Sequence, residues 1–190
     1  MPSLVTPALA PGTLAEREQP EIHTNDLMLR PWRAGDHEVV MAAYADPAIQ
    51  RWHARSLTED EAREWIGNWR RRWAAETGAG WAVVDGDKVA GQISLRTIDL
   101  QDGRAEVSYW VLPHARGRRT AKRALEALTE WSFGQLGLHR IEVLHSTANE
   151  PSCRVAVAAG YRLEGTKRSE AKHADGWHDM HLHARIVGDR

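Results

Sequence analysis

Along residues 58–76 the apolar side chains return every three to four positions. Ala62, Trp65, Ile66, Trp69 and Trp73 share one face, which predicts an amphipathic helix packed on a sheet. Trp65 or Trp69 could also reach a substrate from there. Thr58 followed by Glu61 is a capping-box start for this helix. A second stripe, Ala121, Leu125, Leu128, Trp131 and Phe133 or Leu136, predicts a helix that Gly137 stops. Elsewhere the period drops to two. Leu27 and Leu29 alternate with Met28 and Arg30, a strand over 26–32. Two strands flank the turn Asp85-Gly86-Asp87, others cover 105–113 and 139–147, and a hairpin about Ala174-Asp175-Gly176 closes the chain. Asp36 opens a short helix through Val39, Val40 and Ala43, and Pro151 and Gly160 bracket another over 149–160. The order predicts an α/β (α+β) fold: a mixed, mostly antiparallel sheet with one right-handed crossover.

Residues 1–24 are rich in Pro and Ala and show no period. They read as a flexible leader without chemistry, ahead of a single domain at 25–190. They lack the basic start and long apolar core of a signal peptide, and no apolar run nears the ~20 residues of a membrane span. The single cysteine, Cys153, precludes an intrachain disulfide, makes a Cys-based zinc site an expected absence, and fits a reducing, cytoplasmic setting. With 25 Lys and Arg against 26 Asp and Glu, the charge balance argues against nucleic-acid and membrane-surface binding.

The richest stretch for chemistry is VLPHARGRRTAKRAL, residues 111–125: a strand end, a basic turn and a helix start. Residues 117–121 offer up to four unpaired N–H groups where the helix dipole favours an anion. Arg116, Arg118 and Arg119 add charge, and Gly117 permits close approach. Taken alone, the pattern also fits a solvated basic cap.

The order of elements changes that weighting. The chain resembles the GNAT superfamily of N-acetyltransferases, in its RimJ/RimL-like branch, over about residues 26–186. The matching pieces are LMLRPW, AEVSYWVLP, RGRRTAKRAL, RIEVLHSTANEPSCRVAVAAGYRLEGTKR and GWHDM. The resemblance implies a twisted sheet of about seven strands flanked by about four helices. It also implies direct transfer of an acetyl group from acetyl-CoA to a primary amine, with no acyl-enzyme. The family's phosphate loop reads R-G-x-G-x-A; here it is Arg116-Gly117-Arg118-Arg119-Thr120-Ala121, with Arg119 in place of the second glycine. In right-handed helical geometry any non-proline residue supplies the N–H. Glycine is then needed only where a Cβ would strike the ligand.

By the same resemblance, main-chain groups of Trp110, Val111 and Leu112 hold the pantetheine arm and polarise the carbonyl. Asn149 holds the arm or simply caps its helix, and the Ser152 hydroxyl sits near the sulfur. Glu106 is the first choice of base, with His145 as base or relay and Glu142 third. Strand alternation places Glu106, Ser108 and Trp110 on one face and Val107 and Tyr109 on the other. An α-amine, with pKa about 7.7–8.0, needs less help than a lysine at about 10.4. The acceptor is a protein N-terminus or a small-molecule amine, and the assembly a monomer or homodimer. Two alternatives stand beside this reading. One is a larger donor such as succinyl-CoA, with Trp110 or Trp69 setting pocket size. The other is a catalytically silent acyl-CoA-binding scaffold, motivated by Arg119.

Other features read as structure. Cys153 lacks a partnered base and reads as a small apolar helix residue. His178, Asp179, His181 and His183 lack further ligands at fixed spacing, so they read as a solvated strand edge and no metal is expected. Arg70, Arg71 and Arg72 read as a solvated helix face.

Overall fold

The computed structural model describes residues 4–189. Its strands are β1 (Ile22–His23), β2 (Met28–Pro31), β3 (Ala79–Asp85), β4 (Lys88–Asp99), β5 (Arg104–Val111), β6 (Arg140–Ser146), β7 (Arg162–His173) and β8 (Gly176–Ile186). Its helices are α1 (His37–Ala45), α2 (Pro47–His53), α3 (Glu59–Ala74), α4 (Thr120–Trp131) and α5 (Glu150–Ala158). The eight strands form one sheet in the order β1-β2-β3-β4-β5-β6-β8-β7. The β5–β6 pair is parallel and the other pairs are antiparallel. The class agrees with the sequence; β1 and α2 are additions to it.

Both faces of the sheet are covered, so β3 is buried along nearly its whole length. Trp81 and Val83 enter a core under α4, while Ala82 faces a second core built from α1, α2 and α3. The Thr58 capping box forms with Glu61 as the spacing predicts, and α3 buries Ala62, Ile66, Trp69 and Trp73. Trp69 lies over Gly80, where an added Cβ would come within 2.4 Å of the indole. Trp69 therefore packs on the sheet rather than on a substrate. Arg72 also leaves the expected solvated face. Its guanidinium donates to Thr77 O and Arg96 O. Asp36 does not cap α1 with its side chain. Its carboxylate takes Arg30 at 2.7 and 2.8 Å and the Arg33 N–H at 2.8 Å.

Of the segment 1–24 read as a flexible leader, residues 1–3 lie outside the described residues and the rest is docked. Leu9 and Leu14 are buried in the core under α4. The N–H groups of Gly12 and Leu14 donate to the Glu76 carboxylate, each at 2.7 Å. A buried indole N–H needs an acceptor, and two find theirs here: Trp73 Nε1 donates to Arg17 O at 2.7 Å and Trp81 Nε1 to Pro20 O at 2.8 Å. The segment lacks a period because it is irregular, and its bonds lie far away in the chain.

Candidate active site

Strands β5 and β6 pair over Arg104–Val107 and Arg140–Val143 and then part. A cavity of about 820 Å³ lies between β5, α4, α5 and α2. A smaller one of about 250 Å³ lies towards β6 and β7. Trp52, His53, Tyr109, Asn149 and Ser152 line both, so the two spaces meet at those residues.

The loop before α4 forms one wall of the larger cavity. Arg123 N–H is the first to bond back into the helix, to Arg119 O at 3.0 Å. The N–H groups of Thr120, Ala121 and Lys122 thus precede the helical ladder, and all three residues line the cavity. Thr120 Oγ1 ties the turn down by donating to Ala115 O at 3.0 Å. Gly117 has φ +76°, with nothing within 4 Å of where a Cβ would lie. Arg119 has φ +58° and is the N-cap of α4. That is left-handed backbone, where glycine is unstrained and arginine is not. Glycine at this position therefore serves the backbone angle as well as close approach, a correction to the right-handed geometry expected.

The loop arginines separate. Arg116 donates to Asp46 Oδ1 at 2.6 Å and to Val111 O at 3.2 Å. Arg118 lies 3.5 Å from Asp85 and does not line either cavity. Arg119 lines the larger cavity, and among the described residues its guanidinium has no ion-pair or hydrogen-bond partner. The cradle thus has helix N–H groups, an uncommitted cation and room for a long ligand, features that fit the diphosphate and pantetheine of a CoA thioester.

The strand before the loop divides by its ladder. Leu112 N–H donates to Ala90 O at 2.9 Å, so alternation turns the main chain of Leu112 and Trp110 towards β4 and that of Val111 towards the gap. Arg116 takes the Val111 carbonyl, which leaves the Val111 N–H facing the cavity. Trp110 and Leu112 are buried in the second core, Trp110 also lining the cavity.

Asn149 is a cap and also lines both cavities: its Oδ1 accepts the Ser152 N–H of α5 at 3.2 Å. Ser152 Oγ lies 2.8 Å from Tyr109 Oη. Burial pushes the Tyr109 phenol up to about 12, against the opposing hydrogen bond from Ser152, so it stays a neutral donor at pH 7.

The carboxylates chosen from the sequence lie elsewhere. Glu106 faces Arg96 at 3.3 Å and lines neither cavity. It is on the opposite side of β5 from Tyr109, and its partner Arg96 lines the smaller cavity. Glu142 accepts from Arg140 Nε at 2.6 Å. His145 lines the smaller cavity, with Nδ1 2.8 Å from Ser146 O, and burial lowers its pKa.

Sequence reasoning missed α2, which carries Trp52 and His53 into both cavities. The signal was legible: Asp46 before Pro47 is an N-cap followed by a favoured first-turn proline, and Asp46 Oδ1 accepts from Ala48 and Ile49 N–H at 3.1 and 3.0 Å. A second missed feature is a chain of hydrogen bonds at the smaller cavity. Ser146 Oγ lies 2.7 Å from His178 Nδ1, and His178 Nε2 lies 2.8 Å from Asp175 Oδ1. His181 and His183 are not a solvated edge. Strand β7 takes the edge and leaves β8 interior, so His183 is 1% exposed.

Among the described residues no helix is long and apolar enough to cross a membrane. The family model described as "Acetyltransferase (GNAT) domain" matches residues 26–162. The chain is 28% identical over 113 residues to YdaF of Bacillus subtilis (strain 168), covering 60% of this chain and 61% of that protein. It is 31% identical over 102 residues to ribosomal-protein-serine acetyltransferase of Escherichia coli (strain K12), covering 53% and 56%. It thus spans under two thirds of the length of these two relatives. Its fold matches that of RimL, a ribosomal L7/L12 alpha-N-protein acetyltransferase solved with coenzyme A, with a TM-score of 0.83 at 18% identity over 90% of this chain and 100% of that one. Cradle, parted strands and family model agree: the chain belongs to the GNAT acetyltransferases, a family of acetyl-CoA-dependent enzymes.

Proposed function

We propose that this enzyme moves the acetyl group of acetyl-CoA directly onto the α-amine of a peptide or protein N-terminus. The observation that carries the reading is the meeting of the two cavities at the Tyr109–Ser152 pair. Acetyl-CoA supplies an activated thioester. The helix N–H groups and Arg119 hold its diphosphate, and Asn149 and the Val111 N–H hold the arm and carbonyl. The Ser152 hydroxyl, oriented by Tyr109 at an α5 N-terminus, donates to the departing sulfur. The amine enters from the smaller cavity. Its proton leaves through Ser146 Oγ to His178 Nδ1, with Asp175 fixing the other ring nitrogen. No carboxylate lines the smaller cavity among the described residues. That favours an amine already part-neutral at pH 7, an α-amine over a lysine.

The test is acetyl-CoA titration by calorimetry, with CoA and succinyl-CoA alongside, followed by thiol release with peptides. Free N-terminal peptides turn over, and N-blocked lysine peptides and small amines do not. Turnover confined to lysine or small amines overturns the acceptor. A preference for succinyl-CoA overturns the donor. Failure to bind any of the three overturns the reading.

A further inference from the structure

His145 on β6, His181 and His183 on β8 and Cys153 on α5 converge behind the wall of the smaller cavity, which His145 alone of the four lines. One ligand atom from each lies within 4.8 Å of every other. His145 and His183 are 4% and 1% exposed. The register explains the convergence: His145 pairs across the ladder with His181, and His183 lies two residues on, so the three imidazoles share one sheet face. Helix α5 covers that face and brings Cys153 Sγ to 3.8 Å from His183 Nε2.

These imidazoles are unsatisfied as protein groups. His145 Nε2, His181 Nδ1 and His183 Nδ1 are buried without a hydrogen-bond partner. Buried polar groups are ordinarily paired, and the His145 and His181 orphans in one cluster need an explanation, while His183 turns its Nε2 towards Cys153. His145 also has the arrangement of a metal ligand. Its Nδ1–H points to Ser146 O at 2.8 Å, which leaves the Nε2 lone pair directed inward.

We propose that His145, Cys153, His181 and His183 bind one divalent zinc ion in a closed, structural site. Three imidazole nitrogens and one thiolate suit zinc, and four protein ligands leave no open position for chemistry. A tetrahedral zinc sets its ligand atoms about 3.3–3.6 Å apart, from bond lengths of about 2.0–2.3 Å. The Cys153–His183 separation is close to that, and the widest pair closes by side-chain rotation of about 1 Å. His145 lines the smaller cavity, which gives the ion a way in. The site fastens α5 to β6 and β8 one residue from Ser152, so it holds the proposed sulfur-facing hydroxyl in place. It does not depend on the acetyl-transfer reading.

The experiment uses full-length protein purified without a polyhistidine tag. Elemental analysis is expected to find about one zinc per chain, and chelation to lower Tm reversibly on zinc return. Cobalt substitution is expected to give tetrahedral visible bands and a thiolate-to-cobalt band in the near ultraviolet. Cys153→Ser is expected to abolish the thiolate band and weaken zinc binding at least tenfold while the far-ultraviolet spectrum is kept. His145→Asn is expected to weaken binding likewise. Less than 0.1 zinc per chain together with no Tm rise in tenfold excess zinc overturns the proposal. So does zinc whose affinity neither substitution changes.

Discussion

Tyr109 Oη lies 2.8 Å from Ser152 Oγ, in the wall that two cavities share. The phenol is held neutral, so it orients the hydroxyl without bringing charge. Ser152→Ala is expected to lower kcat about 100-fold, at the low end of general-acid effects. Tyr109→Phe is expected to lower it about tenfold, the value of one modest hydrogen bond. In both variants the KM for acetyl-CoA stays within about threefold of wild type, because neither group holds the diphosphate. Steady-state kinetics checks the split; a rise in KM alone would assign the pair to binding.

Arg119 strains its backbone in return for a free guanidinium. Arg119→Gly removes a left-handed cost of about 1–2 kcal/mol and adds unfolded-state entropy of about 0.5–1 kcal/mol. The expected net result is a gain of up to about 1 kcal/mol in urea unfolding. Acetyl-CoA affinity is expected to fall several-fold, with a shallower salt dependence. Unchanged affinity would show that the side chain faces away from the ligand.

Asp46 caps α2 and grips Arg116, so one carboxylate ties the phosphate loop to the helix that carries Trp52 and His53. The Arg116 hydrogen bond is the largest influence on its pKa and holds it below the usual range. Asp46→Asn keeps a good cap and loses the ion pair. It is expected to raise the KM for acetyl-CoA with little loss of stability, whereas Asp46→Ala loses about 1 kcal/mol in addition. Equal unfolding midpoints for the two variants would deny the capping role.

His53 makes a pH prediction. Burial pushes its pKa down to about 4, helped by Arg55, Arg96 and His173 and resisted by the Tyr109 backbone. The unfolded chain titrates near 6.5. As pH falls from 6.5 to 4 the unfolded state therefore gains a proton that the folded state refuses, and stability drops by about 3 kcal/mol. Above pH 6.5 the group contributes no slope. His53→Asn is expected to flatten this part of the stability profile relative to wild type; parallel profiles would sink the assignment.

Leu14, fully buried in the docked N-terminal segment, is expected to cost about 2–5 kcal/mol when cut to alanine. A loss under about 0.5 kcal/mol would return the segment to the mobile role that its composition suggested.

Much of this architecture was legible because its signals are local. The Thr58–Glu61 box, the α3 stripe and the glycine that ends the turn after α4, Gly137 at φ +87°, each sit within a few residues of what they specify. What stayed hidden depends on distant parts of the chain. Leu14 has no period, and its core partners come from far along the sequence. His181 and His183 look like an edge until β8 is placed between β6 and β7. Glu106 matched the motif, yet Tyr109 on the opposite face of β5 meets the helix that arrives forty residues later. The candidate phosphate loop was read from context, and its missing glycine became understandable only through the Arg119 backbone angle.

The parted strands have a mechanical consequence. Strands β1–β5 and the β6–β8 group are joined across the sheet by four paired positions, Arg104 to Arg140 through Val107 to Val143. Beyond Val107 and Val143 the two strands no longer share a ladder, and an extended ligand lying against Val111 and Asn149 would bridge them in its place. Cosubstrate then acts as a splint across the open end of a four-residue seam, adding to the Tyr109–Ser152 bond that already crosses it.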